Sequence, residues 1–407
     1  MSEEILNLEI IKEAVKGKAA AFRCVAKLQP AGGQGDKIFP PTYEGGKYAV
    51  EQRIINGQNV QCVLLDSVQS QANRMELALL QAIHTERLSL PIISVHFNGE
   101  ALKKKFTVTS LDAPHRIADA ILRDSLYKEN DQAIMFRRSR KGKILDNADV
   151  SNATELFGIC PTALLFGMWD STGPRGGLGA KFQRSIVSEI IGVNAVQGVK
   201  TSSRIDPAQI MRDAGPVYHR NTQDNSNPQW TLNRDFALKE NNAPKNLGKD
   251  GKPSEANHGN ITPNITDGGF TIDYALQTTV LSLVALNRLR FPHENDEPNY
   301  AARTVLAALG LAASTLAMEE GYDLRSRCQL FPTGLLTWEL LSMPGKEPKK
   351  YRLEAEQAIK ILSTAVEEAK SLGLPWEGNI TLEPSSELVA LVQKSQEISV
   401  SVEEEEE

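Results

Sequence analysis

Between Trp169 and Phe182 the chain reads Trp-Asp-Ser-Thr-Gly-Pro-Arg-Gly-Gly-Leu-Gly-Ala-Lys-Phe, with four glycines in the seven residues from Gly173 to Gly179. Glycines leave backbone N–H groups unobstructed and allow the turns from which anion-binding concavities are built. Ser171 and Thr172 add hydroxyl donors, and Arg175, Lys181 and Arg184 add charge. Each of these groups suits a phosphate oxygen, and none selects a particular base. A nucleotide P-loop, GxxxxGK[ST], is excluded: Ala180 separates Gly179 from Lys181, and Phe182 stands where a magnesium-holding hydroxyl is needed. The dinucleotide pattern GxGxxG fails as well, because Ala-Lys-Phe follows Gly177-Leu-Gly179. The structural alternative is a tight glycine turn between two strands.

A smaller version of the same logic lies at Gly32, Gly33, Gly35 and Lys37. Phe39 and Tyr43 follow it, and an aromatic ring beside such a loop can stack on any base of a single strand. Phe39, next to two prolines, is more readily read as packed. The run Asp66-Ser-Val-Gln-Ser-Gln-Ala-Asn-Arg74 opens a helix with unusual polarity. Gln69, Asn73 and Ser70 fall on neighbouring turns beside Arg74, at a helix end that attracts phosphate. Lys103–Lys105 reads as a solvated turn. The denser cluster Arg137, Arg138, Arg140, Lys141 and Lys143 reads equally as a solvated turn or as a patch that meets nucleic acid.

Enzymatic constellations are poor. The six histidines share no HxxxH or HExxH spacing, and there is no GxSxG. Asp36 and Asp66 are dispersed carboxylates. His115 and Arg116, at the expected start of a helix, should meet phosphate or solvent. Cys24, Cys62, Cys160 and Cys328 form no CxxC pair and read as buried small apolar side chains. No metal and no cofactor is expected.

The elements that hold these loops follow from hydrophobic periodicity. A helix is expected over 4–15, and a strand over Ala21 to Leu28 with Phe22, Cys24, Ala26 and Leu28 on one face and Arg23, Val25 and Lys27 on the other. Further strands are expected at Val60–Leu65, Phe106–Thr109, Ala163–Phe166, Ile186–Val193 and Phe270–Tyr274. Helices are expected at 67–85, from Asp112 to about Leu126, at 275–290, 299–319, 352–372 and 386–397. Strands interleaved with helices describe an α+β sandwich with helices on one face, of the ferredoxin-like kind. Residues 221–264 contain ten asparagines in 44 positions, and such a segment reads as a linker or a long projecting loop.

With 407 residues the chain exceeds one ordinary domain. The formal charge is −6, yet Glu403–Glu407 supply five of those negatives, so the rest is near neutral and local patches decide phosphate binding. No apolar run reaches the length of a membrane span, and residues 1–12 lack a signal-peptide pattern, so a cytoplasmic protein without membrane contact is expected.

Five runs together resemble one family: LQPAGGQGDKIFPPTY (28–43), VLLDSVQSQANRME (63–76), TSLDAPHRIADAILRDS (109–125), PTALLFGMWDSTGPRGGLGAKFQRSIVSEIIG (161–192) and GGFTIDYALQTTVLSLVALNRLRFP (268–292). The family is the RAMP backbone subunit of type I-G (formerly I-U) CRISPR effector complexes, and the resemblance covers roughly residues 19–335. It implies an RRM-like palm over 1–335 with large inserted loops (fingers and thumb), including the Asn-rich loop at about 215–267. A helical C-terminal extension at 336–400 and a disordered acidic tail at 401–407 would follow. It implies a non-catalytic Cascade subunit that assembles head to tail along a CRISPR RNA, beside other Cascade subunits, and presents guide bases to a target DNA strand. The expected RNA contacts are Gly32, Gly33, Gly35, Lys37, Gln69, Asn73, Arg74, Arg137, Arg138, Arg140, Ser171, Thr172, Gly173, Arg175, Lys181 and Arg184. The alternative is a metal-dependent RNA endonuclease acting through Asp36, as related subunits of other effector types use a loop aspartate.

Overall fold

The computed structural model describes residues 4–406 other than 172, 174–177, 222–225 and 343, with side chains as far as Ile398. The chain divides into two compact units. One comprises residues up to Gly99, Lys105–Val196 and Phe270–Val389, and the other Glu100–Lys104, Gln197–Gly269 and the remainder from Ala390.

The larger unit begins with β1 (Glu4–Ile5) and α1 (Leu8–Lys16), whose Asn7 cap accepts from the Ile10 N–H at 3.0 Å. In β2 (Ala21–Pro30) the expected alternation holds, with Phe22, Cys24, Ala26 and Leu28 buried. β3 (Val50–Ile55) and β4 (Gln58–Asp66) form a hairpin. Its Asn56-Gly57 turn has φ of 50° and 77°, the left-handed pair that a two-residue hairpin favours. α2 (Val68–His84) starts where the Ser67 hydroxyl accepts from Ser70 N–H at 3.2 Å. Then come β5 (Ile93–Phe97), β6 (Phe106–Thr109), β7 (Ser125–Glu129), β8 (Gln132–Met135), α3 (Pro161–Phe166), the ribbon β9 (Met168–Trp169) with β10 (Lys181–Phe182), and β11 (Ile186–Val193).

The ribbon β12 (Val196–Arg204) with β13 (Ile261–Thr271) belongs, but for its ends, to the second unit. The chain then resumes with β14 (Tyr274–Ser282), α4 (Glu297–Glu319), β15 (Tyr322–Arg325), β16 (Cys328–Pro332), β17 (Trp338–Leu341), β18 (Lys349–Arg352), α5 (Ala355–Ser371), β19 (Ile380–Pro384) and α6 (Ser386–Glu406).

Ten strands make the large sheet, in the order β1-β18-β17-β2-β14-β11-β4-β3, with β16 also paired to β2 and β15 to β16. Around its centre the spatial order is therefore β16-β2-β14-β11, every pair antiparallel. A five-stranded sheet runs β8-β7-β19-β5-β6. β14 turns Ala275, Gln277, Thr279 and Leu281 to the buried face. On that side a polar network replaces part of the oil: Gln71 Oε1 accepts from Ser188 Oγ and Gln277 Nε2, both at 2.8 Å, and Tyr322 OH donates to Gln277 Oε1 at 2.9 Å. Buried polar atoms satisfied in this way fix the register of α2 against the sheet, since each orphaned partner costs about 1–3 kcal/mol. α4 packs against α1, α2 and α5. By length and hydropathy it could cross a membrane, but 83% of its apolar window is buried in the protein, as befits a core helix with neighbours on several sides.

Several expectations are corrected. Residues 163–166 are helix, not strand: Pro161 opens α3, and a short apolar run carries no periodicity of its own. Residues 275–282, expected as the first part of a helix over 275–290, belong to the central strand β14, which buries every second residue. The strand expected over 270–274 is in fact the end of β13 and the start of β14. The helix expected from Asp112 shrinks to Ala120–Arg123, capped by Asp119, because Asp112 bonds back to Thr109 N–H and Oγ1 at 2.8 Å and closes a turn instead. The C-terminal part is not simply helical, since β17, β18 and β19 complete the two sheets. Residues 401–406, expected as a disordered tail, continue α6.

In the second unit the Asn-rich segment has order without a large core. Asp206 accepts from Ala208 N–H at 2.9 Å and Gly259 N–H at 2.5 Å, and Glu255 accepts from the backbone of Lys249, Asp250 and Lys252. Short polar side chains bonding to nearby backbone hold such a segment in turns.

Candidate nucleic-acid interface

The first glycine turn follows directly from the end of β2. Gly33 N–H bonds Pro30 O at 2.9 Å and Asp36 N–H bonds Gly33 O at 3.2 Å, with Gly33 and Gly35 at φ of 91° and 84°. Among the described residues the N–H groups of Gly32, Gln34 and Gly35 have no acceptor. A Cβ on Gly32 would meet the Asp36 carboxylate, so a side chain there would have to displace that exposed group. Lys37 lines the adjoining cleft of about 420 Å³, whose other wall is the β15–β16 turn with Asp323, Ser326, Arg327 and Gln329. Sequence reasoning missed that wall because it lies almost 300 residues away. Its two anchors are backbone bonds, Ala31 N–H to Gln329 O and Phe39 N–H to Arg327 O, each 2.9 Å.

At the start of α2 the structure separates the expected contacts. Gln69 and Asn73 are exposed, one turn apart. Arg74 is committed inward, a correction: its Nε bonds the fully buried Asp66 at 2.9 Å and its Nη2 bonds Leu324 O at 2.7 Å. Asp66 also accepts from Ser70 Oγ (2.8 Å), Gln71 Nε2 (2.7 Å) and Arg325 Nη2 (3.3 Å). This carboxylate already faces the positive end of α2, which weakens that end as a phosphate site.

The glycine-rich loop is the link between β9 and β10. Asp170 N–H bonds Ala180 O at 2.9 Å and Lys181 Nζ lies 4.8 Å from the centroid of Trp169. Gly173 and Gly179 pack against Asp170, where a Cβ would collide with its carboxylate and its carbonyl oxygen respectively. Ser171 and Lys181 are exposed, while Thr172 and Arg175 lie outside the described residues. Arg137 is the second correction: it is buried, not on the surface, and holds Asp170 at 2.9 Å and Asp146 at 2.7 Å. Burial opposes its charge, and the two carboxylates more than offset this. Lys141 pairs with Glu377, leaving Arg138, Arg140 and Lys143 exposed from that cluster.

Beneath the loop's base lies a second buried ion pair. Arg116, expected at phosphate or solvent, grips Glu76 with two bonds of 2.7 and 2.8 Å and Gly167 O with a third of 2.8 Å. Burial pushes the Glu76 carboxyl up to about 7 in spite of Arg116. Arg184 is half-buried, its Nε bonded to Phe166 O at 3.2 Å, and burial together with the Arg116 charge lowers its pKa.

The strand ends that lead to the two glycine loops lie apart. The first loop leaves β2 beyond the Leu28↔Ala275 pair, and the second enters β11 before the Ile186↔Leu281 pair. Along β14 these ends are six residues apart, or about 20 Å at ~3.4 Å per residue. Among the described residues no group of three or more His, Cys, Asp or Glu could hold a metal ion.

Residues 22–197 match the model of a family described as CRISPR-associated protein GSU0053. No curated protein matches. Among solved structures, one match is the crystal structure of Thermofilum pendens Csc2, at 12% identity and a TM-score of 0.27, covering 97% of this chain and 90% of that one. Another is a chain of a CRISPR RNA-guided surveillance complex in a pre-nicking state, at 10% identity and a TM-score of 0.33, covering 93% of this chain and 99% of that one.

Proposed function

We infer that the chain belongs to the CRISPR-associated family whose model its residues 22–197 match, and that it is a non-catalytic, RNA-binding backbone subunit of a type I-G Cascade. The observation that carries this is the content of the matched segment: it spans both glycine loops and the start of α2. Unbonded amides at the first loop, exposed Lys181 at the second and exposed Gln69 and Asn73 between them in sequence offer phosphate and sugar contacts with little base selectivity. A guide RNA varies in sequence, so its carrier must bind this way. Two loops at opposite ends of one sheet suit a strand that is followed along its length.

The chain order β2-α2-β11-β14-α4-β16 with spatial order β16-β2-β14-β11 supports an RRM-like palm, a βαββαβ unit into which other strands are inserted. On this reading copies join head to tail in the cytoplasm along one CRISPR RNA, contact other Cascade subunits and leave guide bases free for target DNA. Such heterologous contacts build open filaments.

The test is purification from cells that also express a CRISPR array and the neighbouring effector genes. A uniform RNA with spacer and repeat, in a particle with many copies of this chain, is the expected result. Purified chain free of nucleic acid despite an intact array would overturn it. Asp323 shares the cleft with Asp36, so magnesium-dependent cleavage of bound RNA, abolished by Asp36→Ala, would favour the endonuclease reading instead.

A further inference from the structure

We propose that the cleft between the first glycine turn and the β15–β16 turn seats one nucleotide of the bound RNA, its base stacked on the guanidinium of Arg327. The proposal rests on the RNA-binding reading and adds to it a residue and a ligand subsite.

The Arg327 guanidinium lies 4.1 Å from the centre of the Phe39 ring, and Arg327 is exposed. A guanidinium covered on one side by a ring is a flat, rigid, weakly hydrated platform, and Arg planes stack on bases as aromatic rings do. The stack is held from below, since Phe39 N–H bonds Arg327 O at 2.9 Å and ties the two backbones together. Arg327 also adopts φ of 59°, the left-handed region that glycine or asparagine enters at less cost, and this turn carries an arginine there.

The charges around the cleft select the part of the nucleotide that enters. Asp36 and Asp323 border it together with Lys37 and Arg327. Two carboxylates repel a phosphate, but they accept hydrogen bonds from a ribose hydroxyl or a base amino group. The phosphate belongs at the rim, where the N–H groups of Gly32, Gln34 and Gly35 have no acceptor among the described residues. Base inside and phosphate on the glycine turn is the arrangement the donors and acceptors permit. Stacking tolerates any base, so the subsite fits a guide of variable sequence.

The experiment uses the full chain and single-stranded RNA carrying 4-thiouridine at successive positions, with affinity measured over a range of salt. Cross-linking should concentrate on the peptides that hold Phe39 and Arg327. Arg327→Lys keeps the charge and loses the plane, and should weaken binding roughly tenfold or more with little change in salt dependence. Arg327→Ala should weaken it at least as much and flatten the salt dependence. Thermal melts of both variants should match wild type, since the side chain is exposed. Wild-type affinity in Arg327→Lys overturns the stacked base and leaves a charge contact. Cross-links elsewhere, or loss of association between copies with RNA affinity intact, assign the cleft to something other than a nucleotide. Absence of RNA binding by the wild-type chain overturns the RNA-binding reading itself, a different result from failure of the cleft alone.

Discussion

Glu76 and Arg116 are separated by forty residues and meet under the base of the glycine-rich loop, where they show what a buried charge does to stability. With its carboxyl raised to about 7 from 4.5, Glu76 binds its proton more tightly in the folded chain than in the unfolded one. Stability from this group is therefore greatest below about pH 4.5 and declines as pH rises towards 7, the direction linkage requires when the folded state holds more protons. Urea unfolding of wild type and Glu76→Gln between pH 5 and 8 checks this: the wild type should lose stability relative to the variant as pH rises. Arg116→Ala leaves the carboxylate buried without its partner and should cost about 3–5 kcal/mol in the same assay at neutral pH. Arg137, by contrast, serves the loop through Asp170, and its removal should lower RNA affinity by displacing the loop while leaving the exposed cations in place.

The turns depend on where a side chain can go. Gly179 cannot take a Cβ, which would collide with Asp170 O, so Gly179→Ala should distort the β9–β10 link and weaken RNA binding. Gly33 has open space around it but φ of 91°, so Gly33→Ala should cost only the left-handed strain, about 1–2 kcal/mol, visible as a modest fall in melting temperature. If both variants melt alike and bind alike, steric fit and backbone strain do not shape the two loops. The β3–β4 hairpin was open to prediction from Asn56-Gly57 between two apolar runs, a signal that a strand expected only at 60–65 overlooks.

Along β14 the strand ends that lead to the two loops are about 20 Å apart, beyond the distance over which neighbouring substitutions couple. Lys37→Ala and Lys181→Ala should therefore reduce RNA affinity additively, within about 0.5 kcal/mol in a double-mutant cycle. Each substitution that removes a cation from a phosphate of the single strand should also lower the slope of log affinity against log salt by about 0.7. A strong coupling between the two lysines would instead mean that they act on one phosphate group.

The residue order alone determined the periodic elements and the chemistry of the loops. β2, α2, β11, α4 and α5 follow from alternation or helical spacing, and the glycines with their neighbouring cations mark both loops because φ and charge are local properties. What the sequence could not determine is which cations point inward. Arg74, Arg116 and Arg137 sit in runs that look like surface, yet each is taken up by a carboxylate on another element: Asp66, Glu76 and Asp170. Nor could it show that β14 is a strand at the centre of the sheet, since Leu276, Val280 and Leu283 satisfy a helical spacing until β2 and β11 claim the backbone hydrogen bonds of residues 274–282. Pairing partners far apart in the chain are chosen by the closing of the whole core, so the cleft that joins Gly32 to Arg327 exists only once the sheet has formed.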